Sequence, residues 1–525
     1  MQHPSNAKLT RYAYNAAMSS EVLTARPDIF VLTLRDRRVK VALLALILLV
    51  WTCIVRLPFL HIVNDDEAFF SVMATRWMHG ELPYADSYDV KPPLLFILFG
   101  LAQMVFGVSL VTIKGLEIVF TVAGAFGLYR LIQRHGTEPA ARWAALLYPI
   151  YSLTLSGVNA PNTLLQAPFV IMAFQYLLDA IPSEKPARNL FFCGLMIGLA
   201  GMIKQTAIFE ALAIGGLVLW YFRTRHTGRQ LMLLIAGAAL PVIVFTVYFA
   251  AMGHLREAFD AVVMQSLARV NLDLPETKGQ YLIGFTRFMP IIAPLFFLVG
   301  CALMAWLRRS RLAAHVSPSL LIVAAIWFAA SAAGIIVMHA MFSYYAATLI
   351  APLLILSAAF VCHGTDFPPR LRPLILGAFV IAATVFPLVI ERNNLRITDL
   401  SGPDDFRGEQ AAASRLKQLG IKDTDHLLVL KRGLFIYILT GAEPTGRYYH
   451  NLHLMCAFPT PDTTPLSDAF ARRPKFVVMA NPAIWRACET EKAHATARAA
   501  LASAYDLKAV TGGKWDKFYI YQLKP

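Results

Sequence analysis

The chain has 525 residues, of which 57% are hydrophobic and only 15% charged, and its mean hydropathy is +0.54. Soluble globular proteins carry about 25% charged residues, and disorder needs many charges and few apolar residues, so both classes are excluded. The formal charge of +15 then raises the question of which side of a bilayer holds the basic residues, rather than pointing to nucleic acid.

In chain order, residues 1–40 form a polar basic tail (Lys8, Arg11, Arg26, Arg35, Arg37, Arg38, Lys40) with no cleavable signal, and are expected in the cytoplasm. The apolar run at about 41–60 is long enough to span. Further spans are expected at about 113–133, 142–157, 164–181, 190–207, 208–222, 231–251, 285–306, 319–338, 344–362 and 373–390. Basic gaps (Arg130/Arg134/Arg142, Lys185/Arg188, Arg223/Arg225/Arg229, Arg308/Arg309/Arg311, Arg370/Arg372) alternate with neutral or mixed ones, as the positive-inside rule requires. Residues 94–110 break the alternation and are interrupted by Gly100, Gln103 and Gly107, so they read as a re-entrant or juxtamembrane helix.

The expectation is an α-helical polytopic membrane protein of about eleven spans plus this dipping helix. Its membrane domain is expected to cover 41–390, with the C-terminus on the extracytoplasmic (periplasmic) side. Residues 391–525 lack any long apolar run and read as an extracytoplasmic α/β module. A helix is expected at Gln410–Leu419, strands at 427–433, 475–480 and 517–523, and a second helix at 487–502. The six cysteines show no C-x-x-C, which excludes a zinc module or a disulfide scaffold; a Cys456–Cys488 bridge is allowed on the oxidising side.

The chemistry concentrates in the first outside loop, 61–93, where Asp65, Asp66, Glu67, Glu81, Asp86 and Asp89 face only Arg76 and Lys91. Clustered carboxylates serve as a general base or as metal ligands. They serve equally as helix caps, with Asn64 or Asp65 at the N-cap and Asp66 and Glu67 favouring the dipole. Lys91-Pro92-Pro93 is either a snorkelling lysine before a helix start or a fixed cation facing an anionic headgroup. Lys204, between two apolar runs, is an interfacial anchor or a phosphate ligand, with Glu210 as a possible partner. Lys114 and Glu117 can pair on one helix face. His339, Tyr344 and Tyr345 form another outer cluster, where tyrosines are commonly belt residues.

The order Asp66-Glu67-Ala-Phe-Phe, Gly80-Glu-Leu-Pro-Tyr84, Asp86, then Lys91-Pro-Pro-Leu-Leu-Phe resembles the GT-C superfamily of polytopic glycosyltransferases. It is most similar to the branch of protein O-mannosyltransferases, lipid A aminoarabinose transferases and rhizobial lipopolysaccharide galacturonosyltransferases. Asn162-Thr163, Gly198 through Lys204, and Tyr345 with Pro352 extend the resemblance over nearly the whole chain.

The resemblance implies an inverting enzyme of the inner cell membrane. It would move a sugar from a polyprenyl-phosphate donor to a lipid (lipopolysaccharide or lipid A), glycan or protein acceptor. Asp66 would be the general base, with Asp65 as a rival and Glu67 orienting a neighbour. Lys91, Lys204 and Tyr345 would meet the donor phosphate, and Asp86, Asn162, His339 and Tyr344 would touch substrate. A divalent metal would fall to Asp66 and Glu67. The stretch Asn159–Gln166 lacks the second acid many relatives carry there, which weakens a metal requirement.

Two other classes compete. One is a lipid or sugar flippase with a pathway through Lys204, Glu117, Glu210 and Asp179; the other is an inactive scaffold relative. Aromatic and basic residues of the C-terminal module (Arg447, Tyr448, Tyr449, His450, Trp485, Trp515) either help to hold an acceptor or pack the module as a lid.

Overall fold

A computed structural model of the protein describes residues 37–154, 161–223, 226–270, 289–300, 317–337, 343–361, 406–456, 463–482, 489–512 and 517–525, with isolated helical positions at 303 and within 377–389. By contact the chain divides into Met1–Trp51 and Thr52–Pro525. The first unit contributes the opening turns of helix α1 (Arg37–Arg56), where Val41, Leu43, Leu46 and Ile47 are exposed, as a lipid-facing helix requires.

Among the described residues five helices are long and apolar enough to cross a membrane: Arg38–Phe59, Leu110–His135, Asn162–Ala180, Thr227–Ala251 and Pro318–Val337. Ala187–Gly201, Ala207–Tyr221, Met289–Gly300 and Tyr345–Ala358 occupy expected spans as shorter apolar helices. The expected span at 373–390 lies largely outside the described residues. The helix at Leu94–Phe106 has 13 residues. At about 1.5 Å per residue it is too short to cross.

In chain order the second unit builds α2 (Asp65–Met78), α3 (Leu94–Phe106), α4 (Leu110–His135), α5 (Glu138–Thr154), α6 (Pro161–Ala180), α7 (Ala187–Gly201), α8 (Ala207–Tyr221), α9 (Thr227–Ala251), α10 (Pro318–Val337) and α11 (Ile350–Val361). With no hydrophobic effect to drive helices together in lipid, close backbone approach at small residues does the work. Helices α7 and α9 show it. A Cβ at Gly194 or Gly198 would run into the carbonyl oxygens of Leu234 or Ala238, and one at Gly237 into that of Phe191.

The C-terminal module holds α12 (Phe406–Gln418), β1 (His426–Leu430), α13 (Phe435–Thr440), β2 (Glu443–Pro444), α14 (Thr464–Ala471), β3 (Phe476–Ala480), α15 (Glu491–Ala504), β4 (Tyr505–Thr511) and β5 (Phe518–Leu523). The sheet order is β2-β1-β3-β5-β4, with β1 parallel to β2 and β3, and β5 antiparallel to β3 and β4. The expected strand 427–433 stops at Leu430 because Lys431 and Gly433 take left-handed turns, with φ of 76° and 106°. Strands β2 and β4 were not expected. β2 has only two residues, and the edge strand β4 carries Asp506 and Lys508, so neither shows an apolar alternation. One hydrophobic core runs without interruption from the first loop (Val63, Phe69, Phe70, Tyr84) into the module (Leu427, Phe435, Tyr449, Phe518).

Candidate active site

The start of α2 decides what each of three consecutive acids can do. Asn64 is the N-cap: its side chain accepts from the Asp66 N–H at 2.7 Å, while Glu67 accepts from the Asn64 N–H at 2.8 Å. This is a capping box. Glu67 also receives the Lys114 ammonium on both carboxylate oxygens, at 2.8 and 2.7 Å, and is fully buried. Burial pushes its carboxyl up, while Lys114 pulls it down. Lys114 pairs in turn with Glu117 at 3.6 Å, and Glu117 with Arg56 at 3.0 Å, so the cluster balances two cations against two anions.

Asp65 faces the other way. Its Oδ1 accepts the N–H groups of Gly433 and Leu434, at 2.9 and 3.2 Å, in the turn between β1 and α13. It therefore ties the first loop to the module. Asp66 remains about 33% exposed, with its Oδ1 3.4 Å from His450 Nε2. Glu67 gives both carboxylate oxygens to Lys114, while Asp66 has one oxygen near His450. Among the described residues no group of three or more His, Cys, Asp or Glu side chains is placed to hold a metal ion.

The rest of the loop folds back beneath this point. Tyr84 is fully buried with φ of 72°, and its hydroxyl donates to the Lys91 carbonyl at 2.7 Å. Positive φ is strained for a residue of this size. Neighbours hold it there: Arg447 donates to the Tyr84 carbonyl, and the Tyr88 N–H donates to the Arg447 carbonyl at 3.0 Å. Asp86 is exposed and accepts from the Leu82 N–H at 2.7 Å, so it shapes its own turn. Asp89 is buried, and one of its carboxylate oxygens has no hydrogen-bond partner among the described residues. Burial pushes its carboxyl up, opposed by Lys91, the Val90 N–H and His450.

Lys91 is half-buried at the lip of α3. The break between α7 and α8 packs against it, with the Leu94 N–H donating to the Met202 carbonyl at 3.0 Å and Gln205 donating to the Val90 carbonyl. That break carries Lys204. Its ammonium is buried, donates to Thr163 Oγ1 at 2.7 Å and lies 4.1 Å from the centre of the Tyr345 ring. Thr163 is held in turn by Asn162 Oδ1 at 2.7 Å from its N–H. The structure thus joins Lys204, Tyr345, Thr163 and Asn162 in one wall adjoining the Lys91 segment.

Glu210 accepts from Ser331 at 2.6 Å, and Asp179 pairs with Arg134 and His135. With Glu117 bound to Arg56 and Lys114, these acids are fixed in separate ion pairs and hydrogen bonds rather than strung along one path. His339 lies outside the described residues, as does the side chain of Tyr344. Arg56, Gln205 and the His450–Asp66 contact escaped sequence reasoning. Nothing local to Arg56 or His450 signals a partner in a distant segment.

A family model described as dolichyl-phosphate-mannose-protein mannosyltransferase matches residues 90–249. No curated protein matches by sequence. Among solved structures, ArnT from Cupriavidus metallidurans bound to undecaprenyl phosphate is 14% identical; the match covers 93% of this chain and 98% of that one, with a TM-score of 0.58. The chain carries the GT-C fold. Its apo form matches with a TM-score of 0.55 at 14% identity, over 91% and 97% of the two chains. The oligosaccharyltransferase of Archaeoglobus fulgidus tethered with an acceptor peptide is 12% identical over 84% and 69% of the two chains, with a TM-score of 0.50. The GT-C match extends over both the helical region and the small sheet module.

Proposed function

We propose that the protein is an inverting membrane glycosyltransferase that moves a sugar from a polyprenyl-phosphate donor to an acceptor hydroxyl outside the cytoplasm. The observation that carries this reading is the sorting of the three acids on α2. Asp65 is bound by two amides and Glu67 by an ammonium, while Asp66 stays partly open to water on the loop that also carries Lys91.

In this reading Asp66 removes the acceptor proton as the oxygen attacks the anomeric carbon from the face opposite the phosphate. A positioned base contributes typically ~10²–10⁴-fold. The departing phosphate takes the bonding electrons, and Lys91 neutralises its developing charge. Lys204, held behind by Thr163 and Tyr345, adds positive potential from within the wall. A phosphate is already a good leaving group, so no second carboxylic acid is needed, unlike the paired acids of glycosidases.

The membrane site suits a donor whose prenyl chain lies in the bilayer. The acceptor in this reading is lipopolysaccharide, lipid A, another glycan or a protein of the cell envelope, with the basic tail in the cytoplasm. Cys456 is disulfide-bonded, which fits a module facing an oxidising compartment.

The test is to express Asp66→Asn and Lys91→Ala in a strain lacking its own copy and to weigh envelope glycans by mass spectrometry. Undecaprenyl phosphate binding to the purified variants is measured alongside. Loss of the sugar in both, with weakened phosphate binding only in Lys91→Ala, is expected. Full sugar content in both folded variants would sink the mechanism.

A further inference from the structure

Besides the 433–434 turn that binds Asp65, the sheet module lays a second segment, residues 444–453, over the first loop. Arg76 donates to the Gly446 carbonyl at 3.2 Å and its guanidinium lies 5.4 Å from the Tyr449 ring centre. Tyr449 packs on Phe69 at 4.8 Å, and Tyr88 packs on Tyr448 at 5.1 Å and on His453 at 5.0 Å. Within this pinned segment the His450 ring stands edge-on to Phe69 at 5.1 Å, and its Nε2 points to Asp66 at 3.4 Å. The carbonyl of His450 accepts from the N–H groups of His453 and Leu454, which fixes the backbone beneath the ring. Both side chains keep a route to water, at 17% exposure for His450 and 33% for Asp66.

We propose that His450 is a positioning residue for Asp66 that also relieves it of the acceptor proton, so that the module completes the site instead of merely covering it. This inference rests on Asp66 being the base. The acceptor O–H bond breaks as its oxygen forms the new bond to the anomeric carbon, and the carbon–phosphate oxygen bond breaks with its electron pair leaving on the phosphate. The proton passes from the acceptor to Asp66 Oδ1, then to His450 Nε2, and from the ring to bulk water. The last two moves return Asp66 to its carboxylate by a route additional to direct exchange with water at its exposed side. Charged and titratable groups near the His450 ring include Asp66 from α2, Asp89 from the loop before α3, and His453 from its own segment, 5.9 Å away ring to ring. Asp89 also feels the charge of Lys91.

The experiment uses the full-length protein in nanodiscs, offered undecaprenyl-phosphate mannose, galacturonic acid and aminoarabinose in turn, with released undecaprenyl phosphate as the readout. The glycan content of cells expressing each variant is a second measurement. His450→Gln is expected to lower kcat about 10-fold or more while leaving the donor KM unchanged, and to move the acid limb of the pH–kcat profile to lower pH. His450→Ala is expected to recover part of its rate with added imidazole. A pH profile identical to wild type in His450→Gln, or His450→Ala indifferent to imidazole, would overturn the relay. Asp66→Asn run in parallel separates the two ideas. If it is inert while the His450 variants behave as wild type, only this inference fails; if it is fully active, the base assignment fails first.

Discussion

Two clusters of carboxylates lie within a few residues of each other, and the contrast between them shows where chemistry is to be sought. Glu67 and Glu117 are sealed against Lys114 and Arg56, with side chains at most 7% exposed. A neighbouring pair, Asp66 and Asp89, meets cations and water only partially: Asp66 faces a histidine across 3.4 Å, and Asp89 keeps one oxygen without a partner among the described residues. The residue types are the same, but their surroundings differ: Glu67 and Glu117 are buried against cations that link α2 to α4, whereas the Asp66 side chain is about 33% exposed. An acid that water reaches is one that a second molecule can also reach.

The largest test of this contrast is Lys114→Met. It leaves two buried acids against a single guanidinium, and breaking such a pair typically costs about 3–5 kcal/mol. A large drop in the detergent-solubilised melting temperature is expected, whereas Asp66→Asn should leave it close to wild type while abolishing transfer. Equal melting temperatures for Lys114→Met and wild type would erase the distinction. Next in size is Asp65→Ala, which leaves the N–H groups of Gly433 and Leu434 without their acceptor. The expected loss is about 1–3 kcal/mol, read as faster proteolysis or hydrogen exchange in residues 431–440 with the helical region unchanged.

The smallest effect concerns Asp89. Its folded carboxyl is raised above the ordinary value of 3.8 by burial, so the folded protein binds a proton more readily than the unfolded chain. The resulting stability is fully present below 3.8 and is lost as pH rises through the folded value. Asp89→Asn should therefore flatten the fall in melting temperature as pH rises above 3.8. An unchanged slope would show that Asp89 is as well solvated as an ordinary surface acid.

Much of this arrangement was legible in the chain. The apolar runs located the helices, but the run at 94–110 is broken only at Gly107, and the helix Leu94–Phe106 passes through Gly100 and Gln103. A cap at Asn64 or Asp65 and the pairing of Lys114 with Glu117 followed from helical spacing, and the structure selects Asn64. The roles of Asp65, Asp66 and Glu67 did not follow. Spacing offered capping, catalysis and metal binding for the same three letters. Lys204 was equally open, and Glu210, its expected partner, binds Ser331.

The sequence by itself determined a membrane-embedded, mostly helical chain with a separate sheet module, because hydropathy, charge sidedness and capping are local properties of contiguous residues. Only the tertiary structure decided which acid stays open. That choice depends on groups far away in the chain: the amides of Gly433 and Leu434 bind Asp65, Lys114 binds the buried Glu67, and His450 stands 3.4 Å from Asp66, which stays about 33% exposed. Desolvation and pairing are set by what surrounds a carboxylate in space, and adjacent residues on one helix turn point to different surroundings.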